Sequence, residues 1–289
     1  MRRDFPAWMK KGISSSDESE VARILAGYGL NTVCREAACP NRHECYRRGT
    51  ATFLVLGGVC TRNCAFCDIA SGKPEPVQAD EPARVAAAAA AMGLDYVVVT
   101  SVTRDDLPDG GAAHFAAVVR ELRAAGVRGV EVLTPDFRGD RDALRTVLDA
   151  RPDVFNHNVE TVERLYPRVR PQADYRRSLD VLAHAAESGV VTKSGLMVGL
   201  GERPVEVLRV MLDLLDAGVQ ILTIGQYLSP GPAHAPVAEF VPPARFEWYA
   251  RKAREFGFRA VASGVFVRSS YRAAEIYRSV KGGVACSTP

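Results

Sequence analysis

From Thr52 onward, apolar and polar positions fall into two alternating textures. Short runs rich in Val, Ile, Phe and Tyr occupy residues 53–57, 96–101, 129–133, 154–158, 195–200 and 220–225, the pattern of buried strands. Between them, apolar residues recur every three to four positions over 81–92, 112–125, 141–150, 175–188 and 204–217. That spacing keeps one stripe of a helix turned to a core. Most of these stretches stop at a glycine, Gly93, Gly126, Gly189 or Gly218, which ends a helix without the steric penalty of a Cβ. Strands alternating with helices predict parallel βαβ units with right-handed crossovers. A doubly wound sheet and a barrel both satisfy this. Polar residues follow most strands, at Thr100-Ser101, Thr134-Pro-Asp136, His157-Asn158-Val-Glu160, Gly199-Leu-Gly-Glu202 and Gln226-Tyr227, and barrel enzymes gather their ligands at that rim. The expected class is therefore α/β, a partial or complete parallel (β/α) barrel, (β/α)6 by strand count. A Cys-rich arm over 1–50, with one short helix, precedes the barrel of 51–240. An extension over 241–289 adds a helix, a short strand and a last helix.

Composition narrows the function classes. Apolar residues make up 47% and charged ones 25%, enough for a packed core without staples. The 37 Lys and Arg nearly balance 34 Asp and Glu, which speaks against a nucleic-acid backbone binder. No apolar run approaches the ~20 residues of a membrane span. The first residues are basic and aromatic and lack the apolar core of a secretory signal. A cytoplasmic location is expected, in which seven cysteines stay reduced and their bunching points to metal.

Cys60-Thr-Arg-Asn-Cys64-Ala-Phe-Cys67 follows the first strand and so falls at the barrel mouth. Three thiolates on one loop hold three irons of a 4Fe-4S cube and leave the fourth open to a small molecule, as a catalytic metal site leaves one position open. Zinc, which takes four ligands, and buried structural thiols are the alternatives. A second triad precedes the barrel, Cys34-Arg-Glu-Ala-Ala-Cys39-Pro-Asn-Arg-His-Glu-Cys45. It reads as an auxiliary iron-sulfur cluster, whose closure would order a loop-rich arm. Zinc with His43 as fourth ligand is the alternative there.

The Cys-x3-Cys-x-aromatic-Cys spacing resembles the signature of radical S-adenosylmethionine enzymes. Both triads in this order resemble the lipoyl synthase family, and the likeness runs from about Cys34 to Ala273. It is carried also by Thr100-Ser-Val-Thr-Arg-Asp-Asp-Leu, Phe155-Asn-His-Asn-Val-Glu-Thr, Thr192-Lys-Ser-Gly-Leu-Met-Val-Gly-Leu-Gly-Glu202, Gly225-Gln-Tyr-Leu and Arg268-Ser-Ser-Tyr271. The resemblance implies that Cys60, Cys64 and Cys67 hold a 4Fe-4S cluster that binds and cleaves S-adenosylmethionine. It implies that Cys34, Cys39 and Cys45 hold an auxiliary, sacrificial 4Fe-4S cluster with Ser270 as its serine ligand, a hard alkoxide poorly matched to its thiolate neighbours. The activity implied is a sulfurtransferase reaction: two sulfurs from the auxiliary cluster enter C6 and C8 of an octanoyl chain on a protein lysine. Unactivated C–H bonds offer no acidic proton to a side-chain base, so a carbon radical must break them.

Around the rim, Asn158 and Glu160 are candidates for the ribose hydroxyls and Lys193 for the methionyl carboxylate. Gly199 and Glu202 mark a turn that permits close approach of the adenosyl group, and Thr100, Ser101 and Tyr227 are candidate lining groups. Arg104-Asp105-Asp106 reads as a salt-bridged loop, His157 as a residue fixing a strand end, and Cys286 as an exposed thiol in the tail. The partners implied are octanoylated lipoyl domains of 2-oxoacid dehydrogenase complexes and the glycine-cleavage H protein. Flavodoxin or ferredoxin as electron donor, and iron-sulfur assembly proteins, complete the set. Arg47-Arg48 and Arg2-Arg3 are candidates to meet the acidic lipoyl surface. A biotin-synthase-like enzyme, a tRNA-methylthiolating enzyme and a non-enzymatic cluster carrier are the rival readings.

Overall fold

The computed structural model describes residues 5–9 and 20–282. Its strands are β1 (Asn31–Thr32), β2 (Thr52–Val55), β3 (Val59–Cys60), β4 (Ala70–Ser71), β5 (Tyr96–Ser101), β6 (Gly129–Leu133), β7 (Val154–Asn156), β8 (Val191–Val198), β9 (Ile221–Gln226) and β10 (Ala260–Gly264). Eight of them form one sheet in the order β1-β2-β5-β6-β7-β8-β9-β10. Every neighbouring pair is parallel except β1 with β2. The sheet has two ends, β1 and β10, and is thus a partial barrel. It runs past residue 240, because β10 pairs along its whole length with β9.

Helices Glu81–Ala91, Ala112–Ala124, Arg141–Asp149, Tyr175–Glu187 and Pro204–Asp216 cover the outside. Their apolar stripes (Val85 and Ala89, Phe115 and Val119, Leu144 and Val147, Leu182, Val207 and Met211) are fully buried or nearly so. At about 25 cal/mol per Å² of apolar surface, this packing is the main force holding helix to sheet. Strand β8 starts earlier than its apolar run suggests. Its first residues include Thr192, Lys193 and Ser194, all at 0% exposure, and buried polar groups need partners that a hydropathy pattern does not reveal.

The arm is better ordered than its composition implies. Helix Glu20–Gly27 sinks Val21 and Leu25 into the core. Helix Val33–Glu36 carries Cys34 and starts where Thr32 Oγ1 accepts from the Arg35 amide. Helix Arg42–Arg47 carries Cys45. Contacts to the C-terminal segment hold these pieces: Asn41 Nδ2 donates to the Phe266 carbonyl at 2.6 Å, Tyr271 Oη donates to Glu44 Oε1 at 2.8 Å, and Arg48 pairs with Glu275 at 2.7 Å. Cys286, Arg2 and Arg3 lie outside the described residues.

Candidate functional site

The Cys60–Cys67 loop leaves the barrel mouth and is tied down along its length. Its two ends are held by the β3–β4 pair, where Cys60 stands opposite Ser71. The Ala65 amide donates to Val169 O at 2.9 Å, the Ala235 amide donates to Ala65 O at 2.7 Å, and His234 Nε2 sits 3.1 Å from Cys67 O. Arg62, inside the motif, is 5% exposed and forks onto Asp105 (2.7 and 2.9 Å) and Asp136 (2.6 Å). Burial opposes the charge on Arg62, but these two carboxylates outweigh it and push its pKa up. Burial also opposes ionisation of Asp136, and the Arg62 contact outweighs it, leaving that carboxyl at about 2. The loop is thus fixed to two loops of the barrel rim, those after β5 and β6, by an ion cluster centred on the buried Arg62. Sequence reasoning missed Arg62, although its place between two cysteines was the available signal. Asp105, read earlier as a member of an Arg104-Asp-Asp unit, pairs instead with Arg62, while Arg104 holds Asp106 at 2.8 Å.

The thiols within each triad feel one another. Burial pushes Cys67 up to about 12 and raises Cys64, with the neighbouring cysteines adding to the rise. Cys34 is likewise pushed up to about 12 by burial, with Cys39 and Cys45 contributing. Cys60 Sγ accepts from the Arg62 and Thr103 amides at 3.4 and 3.3 Å. All six are free thiols. A cationic cluster bound to these thiolates offsets both their burial and their mutual repulsion. The donor chemistry of both triads fits iron-sulfur clusters.

Ser270 joins the arm triad. One cavity is lined by Cys34, Cys39, Cys45 and Ser270, with Tyr96 and Val98 of β5 among the barrel residues beside them. His43 is not among its lining residues.

At the barrel rim, Asn158 and Glu160 lie side by side, Asn158 Nδ2 donating to Glu160 Oε1 at 3.1 Å. Glu160 has φ +65°, a left-handed conformation that costs a non-glycine residue about 1 kcal/mol. It is held there by the Glu160 amide to Gly195 O (3.0 Å) and the Met197 amide to Glu160 O (2.8 Å). Burial pushes its carboxyl up, against Arg170 and Asn158. Arg170, also missed from sequence, is buried behind the loop and donates through Nη1 to the carbonyls of Asn158 and Val159. Burial opposes its charge, but Tyr166, Glu160 and Cys64 outweigh that effect. Among the described residues, Ser101 Oγ, Asn158 Oδ1 and Arg170 Nε are buried without a hydrogen-bond partner. A donor-rich, acceptor-rich ligand such as S-adenosylmethionine would satisfy such groups, and the rim fits it.

Five other rim candidates are engaged by the protein's own groups. Lys193 does not reach the rim: Nζ donates to Glu131 Oε1 at 2.8 Å inside the barrel, both side chains 1% exposed, and Tyr96 Oη donates to the other oxygen of Glu131. It sits near the start of β8, and a buried ammonium needs a carboxylate nearby. Thr100 Oγ1 donates to Leu133 O at 2.8 Å and Tyr227 Oη to Ala235 O at 2.7 Å, so both hydroxyls hold neighbouring segments. Glu202 accepts from the Gly199 and Leu200 amides at 2.6 and 2.9 Å and closes its own turn. Gly199, at φ +100°, is required by its own chain: a Cβ there would stand 2.2 Å from Gln226 Nε2 and 2.5 Å from Glu239 O. His157 fixes the strand end as expected, with Nδ1 2.9 Å from Thr134 O and Nε2 3.1 Å from Ser178 Oγ.

The model of the Radical SAM superfamily matches residues 54–214. The chain is 54% identical over 270 residues to the lipoyl synthase of Caldanaerobacter subterraneus subsp. tengcongensis, covering 93% of this chain and 95% of that one. It is 53% identical to the lipoyl synthase of Rubrobacter xylanophilus, covering 98% and 89%. Among solved structures, HydG, a maturase of the [FeFe]-hydrogenase, superposes with a TM-score of 0.58 at 16% identity, over 78% of this chain and 54% of that one. Methylornithine synthase (PylB) gives 0.54 at 13% identity, over 72% and 63%. These two share the fold. With a partial parallel barrel, two cysteine triads and relatives of this identity over nearly its whole length, the chain belongs to the lipoyl synthase family within the radical S-adenosylmethionine superfamily.

Proposed function

We propose that the chain is a sulfurtransferase that converts a protein-bound octanoyl-lysine to lipoyl-lysine by inserting sulfur at C6 and C8. The observation that carries this reading is the meeting of Cys34, Cys39 and Cys45 with Ser270 in one cavity, since residues from opposite ends of the chain build a ligand set that a simple carrier does not need. When bound, the cluster at Cys60, Cys64 and Cys67 supplies the electron that cleaves S-adenosylmethionine, and the auxiliary cluster supplies the sulfur.

The protein's own residues position and exclude. Arg62, Asp105 and Asp136 hold the first loop rigid. Asn158 Oδ1, unpaired in the structure, accepts from a ribose hydroxyl, while Glu160 receives a second one. Ser101, at the end of β5, hydrogen-bonds the same ligand. Arg170 keeps positive charge beside Cys64 and Glu160. The buried barrel wall shields the reacting carbons from water, which protects a radical from side reactions. Residues 1–50 serve as the auxiliary-cluster arm, and the segment beyond 240 both completes the sheet and supplies Ser270.

The substrates are octanoylated lipoyl domains and the glycine-cleavage H protein, with flavodoxin or ferredoxin as donor and an iron-sulfur assembly system as supplier. Among the described residues no helix is long and apolar enough to cross a membrane, and the reading places the chain in the cytoplasm. Of the proposed docking arginines, Arg47 is exposed, whereas Arg48 is engaged by Glu275. The test is an anaerobic single turnover of reconstituted protein with dithionite, S-adenosylmethionine and an octanoyl-lysyl peptide. The expected result is a mass gain from inserted sulfur. Cleavage of S-adenosylmethionine with no thiolated peptide points to another substrate, and no cleavage at all supports the carrier.

A further inference from the structure

The segment Arg268-Ser269-Ser270-Tyr271 is inserted between the arm and the barrel, and its two serines face different sites. Ser270 lines the cavity of the arm triad. Ser269 faces the rim, where its Oγ accepts from Asn158 Nδ2 at 2.6 Å. Two glycines on adjacent strands make the insertion possible. A Cβ at Gly225 would stand 2.2 Å from Val267 O and 3.1 Å from Arg268 Nη1. A Cβ at Gly195 would stand 2.3 Å from Thr223 Oγ1, 3.0 Å from Asn158 Oδ1 and 3.4 Å from Ser269 Oγ. On its other side the segment is gripped by the arm through Asn41 to Phe266 O and Tyr271 to Glu44.

We propose that Ser269 is a positioning residue that couples the S-adenosylmethionine rim to the serine ligand of the auxiliary cluster. The inference rests on the reading of Ser270 as that ligand. Asn158 has both amide hydrogens committed, to Glu160 and to Ser269, and its Oδ1 unpaired. A ribose hydroxyl donating to Oδ1 therefore leaves the Ser269 contact intact and fixes the Asn158 amide that makes it. Fixing Ser269 fixes the backbone of its neighbour, so Ser270 is presented to the cluster most firmly when S-adenosylmethionine is in place. Coupling of this kind is reciprocal: a filled auxiliary site tightens S-adenosylmethionine binding by the factor that the ligand returns to the cluster.

The experiment uses the full chain with both clusters reconstituted. S-adenosylmethionine affinity is measured at equilibrium with the auxiliary cluster present and in a Cys39→Ala protein that lacks it, and Mössbauer spectra of the auxiliary cluster are recorded with and without S-adenosylmethionine. For the unsubstituted chain, the affinity ratio is expected to be about three- to tenfold, the worth of one hydrogen bond, with a shift in the spectrum. Ser269→Ala is expected to bring the ratio to one and abolish the shift, and Ser269→Thr, which keeps the hydroxyl, to restore both. An unchanged ratio and shift in Ser269→Ala overturns the proposal. If Ser269→Ala does not load its auxiliary cluster, the unsubstituted chain and Ser269→Thr decide: no spectral response to S-adenosylmethionine in the unsubstituted chain overturns the proposal, and a response in both chains supports it. Ser270→Ala separates the parent reading: an unaltered auxiliary spectrum in that variant removes Ser270 as ligand, whereas an altered one beside a fully coupled Ser269→Ala removes the present inference only.

Discussion

Replacing Arg62 by Met strips the buried partner from Asp136 while keeping the stem that packs under the loop. At 2.6 Å between Nη2 and Oδ1, the bare attraction is about 6 kcal/mol at an effective dielectric of about 20. Desolvation takes back much of it, since Asp136 is 0% exposed and Arg62 5%. The balance of burial against Arg62, with smaller help from His157 and the Arg138 amide, holds the carboxyl at about 2 against an ordinary 3.8, on the order of 2–3 kcal/mol favouring the ionised form. Breaking such a pair from one side costs about 3–5 kcal/mol. Asp136 keeps Arg177 at 3.3 Å and the Arg138 amide at 3.1 Å, so Arg62→Met is expected near the low end, about 3 kcal/mol. The assay is urea unfolding of the metal-free, reduced chain at pH 7, followed by circular dichroism. Arg62→Met with Asp136→Leu should lose at least ~1.5 kcal/mol less than the two single losses together. The sign with pH is also set: a carboxyl with a depressed folded pKa stabilises fully above about 3.8, and its contribution disappears as pH falls toward about 2. Single losses below about 1 kcal/mol, or losses that simply add, would refute the ion-cluster account of the loop.

His157, fully buried and held neutral by burial at about 4, makes stability fall as pH drops from 6.5 toward 4, by up to about 3 kcal/mol; His157→Gln should flatten that slope in pH-dependent unfolding. Lys193→Met leaves Glu131 buried without its ammonium and should destabilise the chain by about 3 kcal/mol. S-adenosylmethionine affinity should not change in that variant, and a tenfold loss would return Lys193 to the binding rim. Glu202→Gln leaves one of the two turn amides, Gly199 or Leu200, without its acceptor, at about 1–2 kcal/mol in thermal or urea unfolding; a neutral effect would remove the turn-closing role.

The helix positions were legible because each helix needs a continuous apolar stripe and a stop, and both are written locally: residues 112–125 predict the observed Ala112–Ala124, ended beside Gly126. Strand β8 was less legible at its start because Lys193 and Ser194 look like loop residues and are instead satisfied inside the barrel. The cysteine triads stood out because their spacing is their chemistry. The rim did not, because a polar residue after a strand has the same appearance whether it faces a ligand or, like Thr100 and Tyr227, bonds its own chain. Long-range pairing is equally silent in sequence: nothing near Ser269 announces Asn158, 111 positions away. The Arg268-Ser-Ser-Tyr271 segment carried the only signal available, two adjacent serines where one ligand was expected.

The central claim is a division of labour between the two triads. Its most direct measurement is iron content and single-turnover products of a Cys39→Ala protein beside the unsubstituted chain, under anaerobic reduction with S-adenosylmethionine and an octanoyl-lysyl peptide. The account predicts that Cys39→Ala holds about half the iron, still forms 5′-deoxyadenosine, and inserts no sulfur. Thiolated peptide from Cys39→Ala, or loss of 5′-deoxyadenosine along with the arm cluster's iron, would contradict it.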